Sequence, residues 1–541
     1  FSYTSWLFGL VFYLSYLLLN IYGVIILKAV TVSAAFYIMF KDSLRLHKNI
    51  AVSIAVMTFM VIAVRPRFVE RPDIFMMVFL SFSVFSLNAY IYNNRKYIYA
   101  LPIMCMLWAN SHSSIPLMII PFSAFVVGGV MQRYVNRKFS TDCVELSAPQ
   151  LKIIIMIFVA SFAASLISPY FTDQYFYGAQ SLASDWIKQR IIEVQSPTWQ
   201  ITKFPYILTA IISFSFILNI KRLSLIDLFL VIPCMALSFV ALRFIIVLCI
   251  VAGPVLARNV AAYLSDFKGR KIFGREAAII FSAIWLVCYP ALVLSDIKLI
   301  GDTLGEKRKI FGFGINYDVF PEKALEYMDG RSISGRVFNI LEWGQYITWR
   351  DFPKRSPFID GRIYISGDLL RKTDQIGNIF VLDELHRRYG FDAILLTYVT
   401  MDESAYNAIT YEDIVLSHPD WKLVYWDDRA LLYLNRFGKY EDVIQKDEYR
   451  FVRPANGFSS IRAKLTDNNY RLGVIDELRR NISETGSSKA YLLLGAVYNE
   501  LGFYTDALNA LLKVEGSASA EDLLRAYEGI AFAYDRIGNK G

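Results

Sequence analysis

A chain of 541 residues that is 55% apolar, 15% aromatic and 19% charged, with a mean hydropathy of +0.38, carries more apolar side chain than a water-soluble globule of ordinary make-up, so the bilayer is expected to be one of its solvents. Its formal charge of +8 does not point to nucleic acid, because Lys and Arg concentrate in short loops between apolar runs, where such residues set membrane orientation. All five cysteines, Cys105, Cys143, Cys234, Cys249 and Cys288, precede Leu294 without CxxC or zinc-like spacing, which excludes disulfides and thiolate metal sites from everything after it.

Taken in chain order, apolar runs of spanning character fall at 6 to 20, 22 to 40, 50 to 64, 74 to 92, 98 to 111, 115 to 130, 152 to 171, 205 to 220, 224 to 240, 243 to 259 and 277 to 294. The runs at 6 to 20 and 98 to 111 are short for a full crossing and suit tilted, re-entrant or interfacial segments. No basic n-region or cleavage site follows Phe1, so the chain reads as the remainder of a longer polypeptide. The expected fold is an α-helical polytopic membrane domain (1–297), a small extracytoplasmic α/β domain (298–445) and a helical, tetratricopeptide-like repeat segment (446–541).

Alternate loops separate by charge. The set with Lys41, Arg45, Lys48, Arg95, Lys96, Arg133, Arg137 and Lys138 is expected to be cytoplasmic. The loop RPRFVERPD, the segment WANSH, the long loop from Ser168 to Pro205 and everything after Leu294 then share the outer face. In the first, Arg65, Arg67 and Arg71 have the planar forks that suit a phosphate or pyrophosphate, while Glu70 or Asp73 suits a base or metal ligand. The plain alternative is a solvated loop with internal ion pairs. Trp108, Asn110 and His112 follow at alternate positions, where His112 suits a phosphate oxygen or an acceptor hydroxyl and Trp108 equally suits an interfacial anchor. Arg243 lies between apolar residues and requires an anionic partner. An interfacial amphipathic helix is expected from about Ser184 to Val194, with Glu193 near its end.

After Gly301, RVFNI, SPFID, DAILLTY, KLVYW and ALLYLN read as strands, with helices around Pro321 to Met328 and Gly377 to Tyr389. Glu342, Trp343, Tyr346, Asp360, Arg362 and Tyr364 are expected at strand ends, as a binding edge or as caps and packing residues. Near the end, AYLLLGAVYNELG recurs as AYEGIAFAYDRIG after 36 residues, a spacing near the tetratricopeptide period, which argues for a protein or peptide partner.

The segments FSYTSWLFGLVFY, RPRF, RPD, LWANSH, SPTW, VFNILEWGQYITWRDFPKRSPFIDGR and WKLVYWDDRALLYLNR, together with Arg243, make the chain resemble GT-C-type membrane glycosyltransferases of the bacterial branch. The resemblance implies an inner-membrane, multi-pass enzyme that passes a sugar or glycan from a polyprenyl-phosphate or polyprenyl-pyrophosphate carrier to a protein or glycan acceptor on the periplasmic side. It implies Glu70 or Asp73 as an acidic group, with Arg67, Arg71, His112 and Arg243 around the lipid phosphate, and it is compatible with a divalent metal such as Mg or Mn. The family's first acidic motif is expected before Phe1. Two other classes compete: a non-catalytic scaffold of an envelope or secretion assembly, and a transporter or flippase. The latter predicts inverted repeats, which the membrane half does not display.

Overall fold

The computed structural model describes residues 5–139, 144–176, 188, 191–266, 313–361, 367–373, 375–376, 378–398, 418–514 and 520–538. They fall into two compact units, one of membrane-type helices up to Asp266 and one from Ile315 onward. The expected span at 277 to 294, most of the expected interfacial helix, Arg362 and Tyr364 lie outside the described residues.

The first unit is helical: α1 (Trp6–Leu46), α2 (Ile50–Val64), α3 (Asp73–Asn93), α4 (Leu101–Ser111), α5 (Ile119–Ser123), α6 (Gly129–Phe139), α7 (Ala148–Ser165), α8 (Phe204–Leu218), α9 (Leu225–Val240) and α10 (Ile245–Asp266). Polar residues at the ends of apolar runs start these helices. Asn49 accepts the Val52 N–H, Ser147 forms a capping box with Gln150, and Ser224 accepts the Asp227 N–H. Among the described residues, six helical stretches are long and apolar enough to cross a membrane, while α8 and α9 are shorter apolar helices. The 11 residues of α4 rise only about 16 Å, too little for a crossing.

The runs at 6 to 20 and 22 to 40 are two arms of α1, separated by a break at Leu19 and Asn20, where Asn20 has φ 56°. The chain turns so tightly there that Gly23 packs against the Ser15 backbone, leaving no room for a Cβ. Trp6 reaches Asn110, and Lys28 reaches Glu70, so both arms return to one end of the unit and the first arm is not a crossing of its own. From Lys28 to Asp42 the second arm rises roughly 21 Å to a second polar cluster. There Asp42 accepts from Asn88 at 2.7 Å, Arg45 lies 4.0 Å over Phe85, and Asp227 pairs with Arg258.

The second unit contains α11 (Glu322–Gly330), β1 (Gly335–Asn339), α12 (Leu341–Asp351), β2 (Arg355–Pro357), α13 (Gly367–Thr373), α14 (Ile379–Tyr389), β3 (Ala393–Thr397), β4 (Trp421–Trp426) and β5 (Ala430–Asn435). It continues through α15 (Glu441–Asp447), α16 (Gly457–Arg462), α17 (Asn468–Thr485), α18 (Ser488–Glu500), α19 (Tyr504–Leu511) and α20 (Ala520–Ile537). The sheet order is β2-β1-β3-β5-β4; β1 is parallel to β2 and β3, and β5 is antiparallel to β3 and β4. All five expected strand segments contribute strands. The β4–β5 turn forms because Asp427 Oδ1 accepts the N–H groups of Arg429 and Ala430 at 2.7 and 2.8 Å.

Alternation along β3 and β5 builds two cores on opposite faces of the sheet. Ile394, Leu396, Leu431 and Tyr433 face one, while Ala393, Leu395, Ala430, Leu432 and Leu434 face the other. The first core runs on into α17, α18 and α19, so sheet and helical tail share one interior. Two carboxylates secure that join. Asp428 takes the Ser487 hydroxyl and the Ser488 and Lys489 N–H groups, and Glu477 takes the N–H groups of Arg450, Phe451 and Val452.

Gly344 of α12 meets the Ile359 carbonyl and Asp360 with no space for a side chain. Gly344→Ala is therefore expected to destabilise the second unit by about 1–3 kcal/mol. Gly330→Ala, which opens onto free space, is expected to leave its thermal unfolding unchanged. Equal melting of the two variants would contradict this packing.

Beneath α11, buried Arg355 pairs with Asp351 and Asp329, and Lys354 and Arg350 also reach Asp329. Partial burial acts to raise the Asp329 pKa, but the Lys354 and Arg355 hydrogen bonds and nearby positive charges outweigh it and hold the carboxyl at about 2. A folded pKa below the ordinary 3.8 contributes stability above that value and loses it as pH falls through about 2. Thermal unfolding of the second unit between pH 4 and 2 is expected to show this loss, and Asp329→Asn is expected to flatten it.

Candidate functional site

The two arms of α1, through Trp6 and Lys28, the α2–α3 connection, the end of α4 and the turn at Ile192–Val194 bring their polar residues together at one end of the first unit. After α2 the chain makes a single 3-10 turn, Arg65–Arg67, with Pro66 inside it. Asp73 opens α3, where a carboxylate complements the positive helix N-terminus. At the other side His112 ends α4 in an extended conformation, its N–H returning to the Trp108 carbonyl at 2.9 Å.

Arg67 is the centre. Its side chain is 12% exposed, and the guanidinium pairs through one terminal nitrogen with Asp73 and through the other with Glu193 at 2.6 Å. Glu193 also accepts from Arg71 at 2.6 Å, while Arg71 is 55% exposed. Asp73 Oδ1 lies 3.0 Å from His112 Nε2. His112 Nδ1 lies 2.6 Å from Ser114 Oγ and accepts the Ser114 N–H at 3.2 Å, and Ser114 Oγ accepts the Trp108 indole N–H at 2.9 Å. With Nδ1 accepting, the neutral imidazole donates from Nε2 to Asp73. The outcome is a continuous relay from Arg71 through Glu193, Arg67, Asp73 and His112 to Ser114. The Arg67 Nε is buried and has no hydrogen-bond partner among the described residues.

Glu70 points elsewhere, pairing with Lys28. Asn110 accepts the Trp6 indole N–H at 2.9 Å and donates to the Met106 and Ile167 carbonyls, both at 2.8 Å. It borders an open groove of about 600 Å³ that is otherwise lined mostly by apolar side chains such as Trp6, Leu107 and Ile167. The groove lining includes Asn110, two residues before His112 in the chain, but not Arg67, Arg71, Asp73 or His112.

Arg243 is not mid-span: it sits in a 3-10 turn, Leu242–Phe244, between α9 and α10, with its guanidinium 5.4 Å from the Phe244 ring. The Leu242 N–H donates to the Gln195 carbonyl at 2.9 Å, tying this turn to the one carrying Glu193. That Glu193 turn is a 3-10 turn rather than the end of an α-helix. Arg65 lies in the turn before Arg67.

In the second unit the expected strand-end residues Glu342, Trp343 and Tyr346 belong to α12. Glu342 is exposed, whereas Trp343 and Tyr346 are buried, with Tyr346 stacked on Phe320 at 4.0 Å and bonded to Glu322. Tyr346 is a core residue, because the chain enters a helix at once after β1 and the side of its first two turns that carries Trp343, Tyr346 and Ile347 packs in the core shared with the sheet. Asp360 follows β2, half-buried beside Gly344.

Lys28, Trp6 and Ser114 complete the cluster without having been singled out as site residues. Lys28 carried a signal of the same kind as Arg243, a lone cation within an apolar run. Among the described residues no group of three or more His, Cys, Asp or Glu is arranged to hold a metal. Asp73 and His112 supply two donors, already engaged with each other and with Arg67, so this donor set does not fit the divalent metal that the resemblance allows.

No protein-family model matches the chain, and no curated protein sequence matches it.

Removing Arg67 takes away the buried cation that bridges Asp73 and Glu193 and leaves them to His112 and to half-exposed Arg71, whereas removing Arg71 leaves Glu193 paired with buried Arg67. Arg67→Ala is expected to cost about 3–5 kcal/mol of stability in detergent, and Arg71→Ala less than about 1 kcal/mol. Equal shifts in thermal unfolding would remove Arg67 from the centre of the cluster.

Proposed function

We propose that the first unit is a membrane glycosyltransferase that takes a sugar from a polyprenyl-phosphate or polyprenyl-pyrophosphate carrier and passes it to a hydroxyl or amide acceptor on the outer face of the cytoplasmic membrane. The observation that carries this reading is the buried, unfilled Arg67 Nε beside half-exposed Arg71, in a unit that also carries an open apolar groove reaching Asn110. A phosphate oxygen suits the first, and a lipid chain suits the second. In the proposed reaction the acceptor proton passes to Asp73 as the acceptor atom bonds to the anomeric carbon. The carbon–oxygen bond to phosphate breaks with inversion, and Arg67 and Arg71 stabilise the departing phosphate. His112 holds Asp73 in place through Nε2. Asp73 is favoured over Glu70 because Glu70 is exposed and committed to Lys28. The tail is read as tetratricopeptide-like repeats that engage a protein partner on the same side of the membrane.

A second reading, a non-catalytic scaffold, is favoured by one observation: both Asp73 oxygens are already occupied, as they would be in a purely structural ion-pair cluster. Transfer by the purified protein from extracted polyprenyl-linked sugars distinguishes the two. Asp73→Asn is expected to lower turnover at least a hundredfold, and Arg71→Ala chiefly to weaken donor binding. Wild-type protein that transfers nothing across carriers and acceptors would leave the scaffold.

A further inference from the structure

The hydrogen bonds around His112 have a direction, and Trp108 is where that direction starts. Trp108 is 1% exposed, so it is not presented to lipid as an interfacial anchor would be. Its ring stacks at 5.9 Å and 19° on Phe79 of α3, the helix that opens with Asp73. Its carbonyl accepts the His112 N–H at 2.9 Å, and its indole N–H donates to Ser114 Oγ at 2.9 Å. An indole can only donate. The Ser114 oxygen is therefore an acceptor in that bond, and its single proton is left for His112 Nδ1, 2.6 Å away. The Ser114 backbone N–H also reaches Nδ1, at 3.2 Å, as the chain enters the 3-10 turn Ile115–Met118. Two donors thus converge on Nδ1, which puts the ring proton on Nε2, 3.0 Å from Asp73 Oδ1. In the other tautomer the Nδ1 proton would face the Ser114 N–H, and lone pairs on Nε2 and Oδ1 would face each other.

We propose that Trp108 is a positioning residue for Asp73: acting through Ser114, it fixes the Nε2–H tautomer of His112, so that His112 holds the carboxylate from one side while Arg67 holds it from the other. Without the indole proton, the Ser114 hydroxyl is free to turn away from Nδ1, and the ring proton is no longer confined to Nε2. Asp73 then keeps the Arg67 fork and loses its second donor for part of the time, so the carboxylate can rotate about that fork. The stack of Trp108 on Phe79 serves the same end, because it registers α4 against the helix that carries Asp73. The tautomer stands on hydrogen-bond geometry alone, whereas its effect on turnover rests on the transfer reaction assigned to Asp73.

The test is nitrogen-15 NMR of the full chain in detergent, labelled at histidine, at a mildly alkaline pH where imidazoles are neutral. The chain has four histidines, and the resonances lost in His112→Gln assign the ring of interest. Wild-type His112 is expected to show an unprotonated Nδ1 and a protonated Nε2. Trp108→Phe keeps a ring against Phe79 but has no N–H, and Ser114→Ala leaves the tryptophan in place; each is expected to bring a protonated Nδ1 into the spectrum. Ser114→Thr, which retains the hydroxyl, is expected to match wild type. In the transfer assay Trp108→Phe and Ser114→Ala are expected to lower kcat roughly tenfold with KM unchanged, and Ser114→Thr to retain it. A wild-type ring protonated on Nδ1, or variants whose ring keeps the wild-type tautomer, overturns the proposal, even where kcat falls, because Trp108 would then act by packing alone. If Trp108→Phe does not fold, Ser114→Ala decides by the same spectrum. Wild-type protein that transfers nothing defeats the assigned reaction and leaves the tautomer to the nitrogen spectrum, which decides it separately.

Discussion

Arg67 is the constraint on which the polar end of the first unit depends. A guanidinium on a side chain only 12% exposed requires compensating charge, and its flat fork takes two carboxylates at once. Those carboxylates come from the first turn of α3 and from a turn more than a hundred residues later, so one side chain sets the positions of both. Asp73, held in this way, orients His112, and Ser114 and Trp108 hold His112 from the other side. The short helix α4 follows from the same requirement: it ends where His112 must meet Asp73, well before it could cross a bilayer.

The membrane helices have charge at both ends and little between. The rise from Lys28 to Asp42 along α1 matches that from Asp73 to Asn88 along α3, each roughly 21–22 Å, which sets the two polar clusters apart by much of a hydrocarbon thickness. The ends differ in what they can do. Asp42 with Asn88 and Asp227 with Arg258 tie α1 to α3 and α9 to α10. The Arg67 cluster also ties helices, but with one guanidinium nitrogen unfilled.

In the second unit, carboxylates do a similar job by a different route. Asp428 and Glu477 accept backbone N–H groups and so join the sheet to the helical tail with their carboxylates hydrogen-bonded. Burial works to raise the Glu477 pKa, against its three backbone hydrogen bonds. The shared interior of sheet and tail runs through α17, α18 and α19, and α20 packs through Ala526 on Leu511 and Val514.

The sequence by itself determined the elements whose signal is local. Near-continuous apolar segments such as AILLT and ALLYLN read as strands buried on both faces, and the longest apolar runs before Asp266 read as membrane-type helices. It also picked out Arg67, Arg71, Asp73 and His112, because charge between apolar runs is conspicuous. Only the tertiary structure decided the pairing: that Glu193 serves Arg67 and Arg71, that Glu70 goes to Lys28, that Arg243 sits in a turn, and that Tyr346 is packed inside. The physical reason is range. Periodicity and capping act over a few residues, whereas the partner of a buried charge is whichever opposite charge the packing of distant helices brings within hydrogen-bond reach.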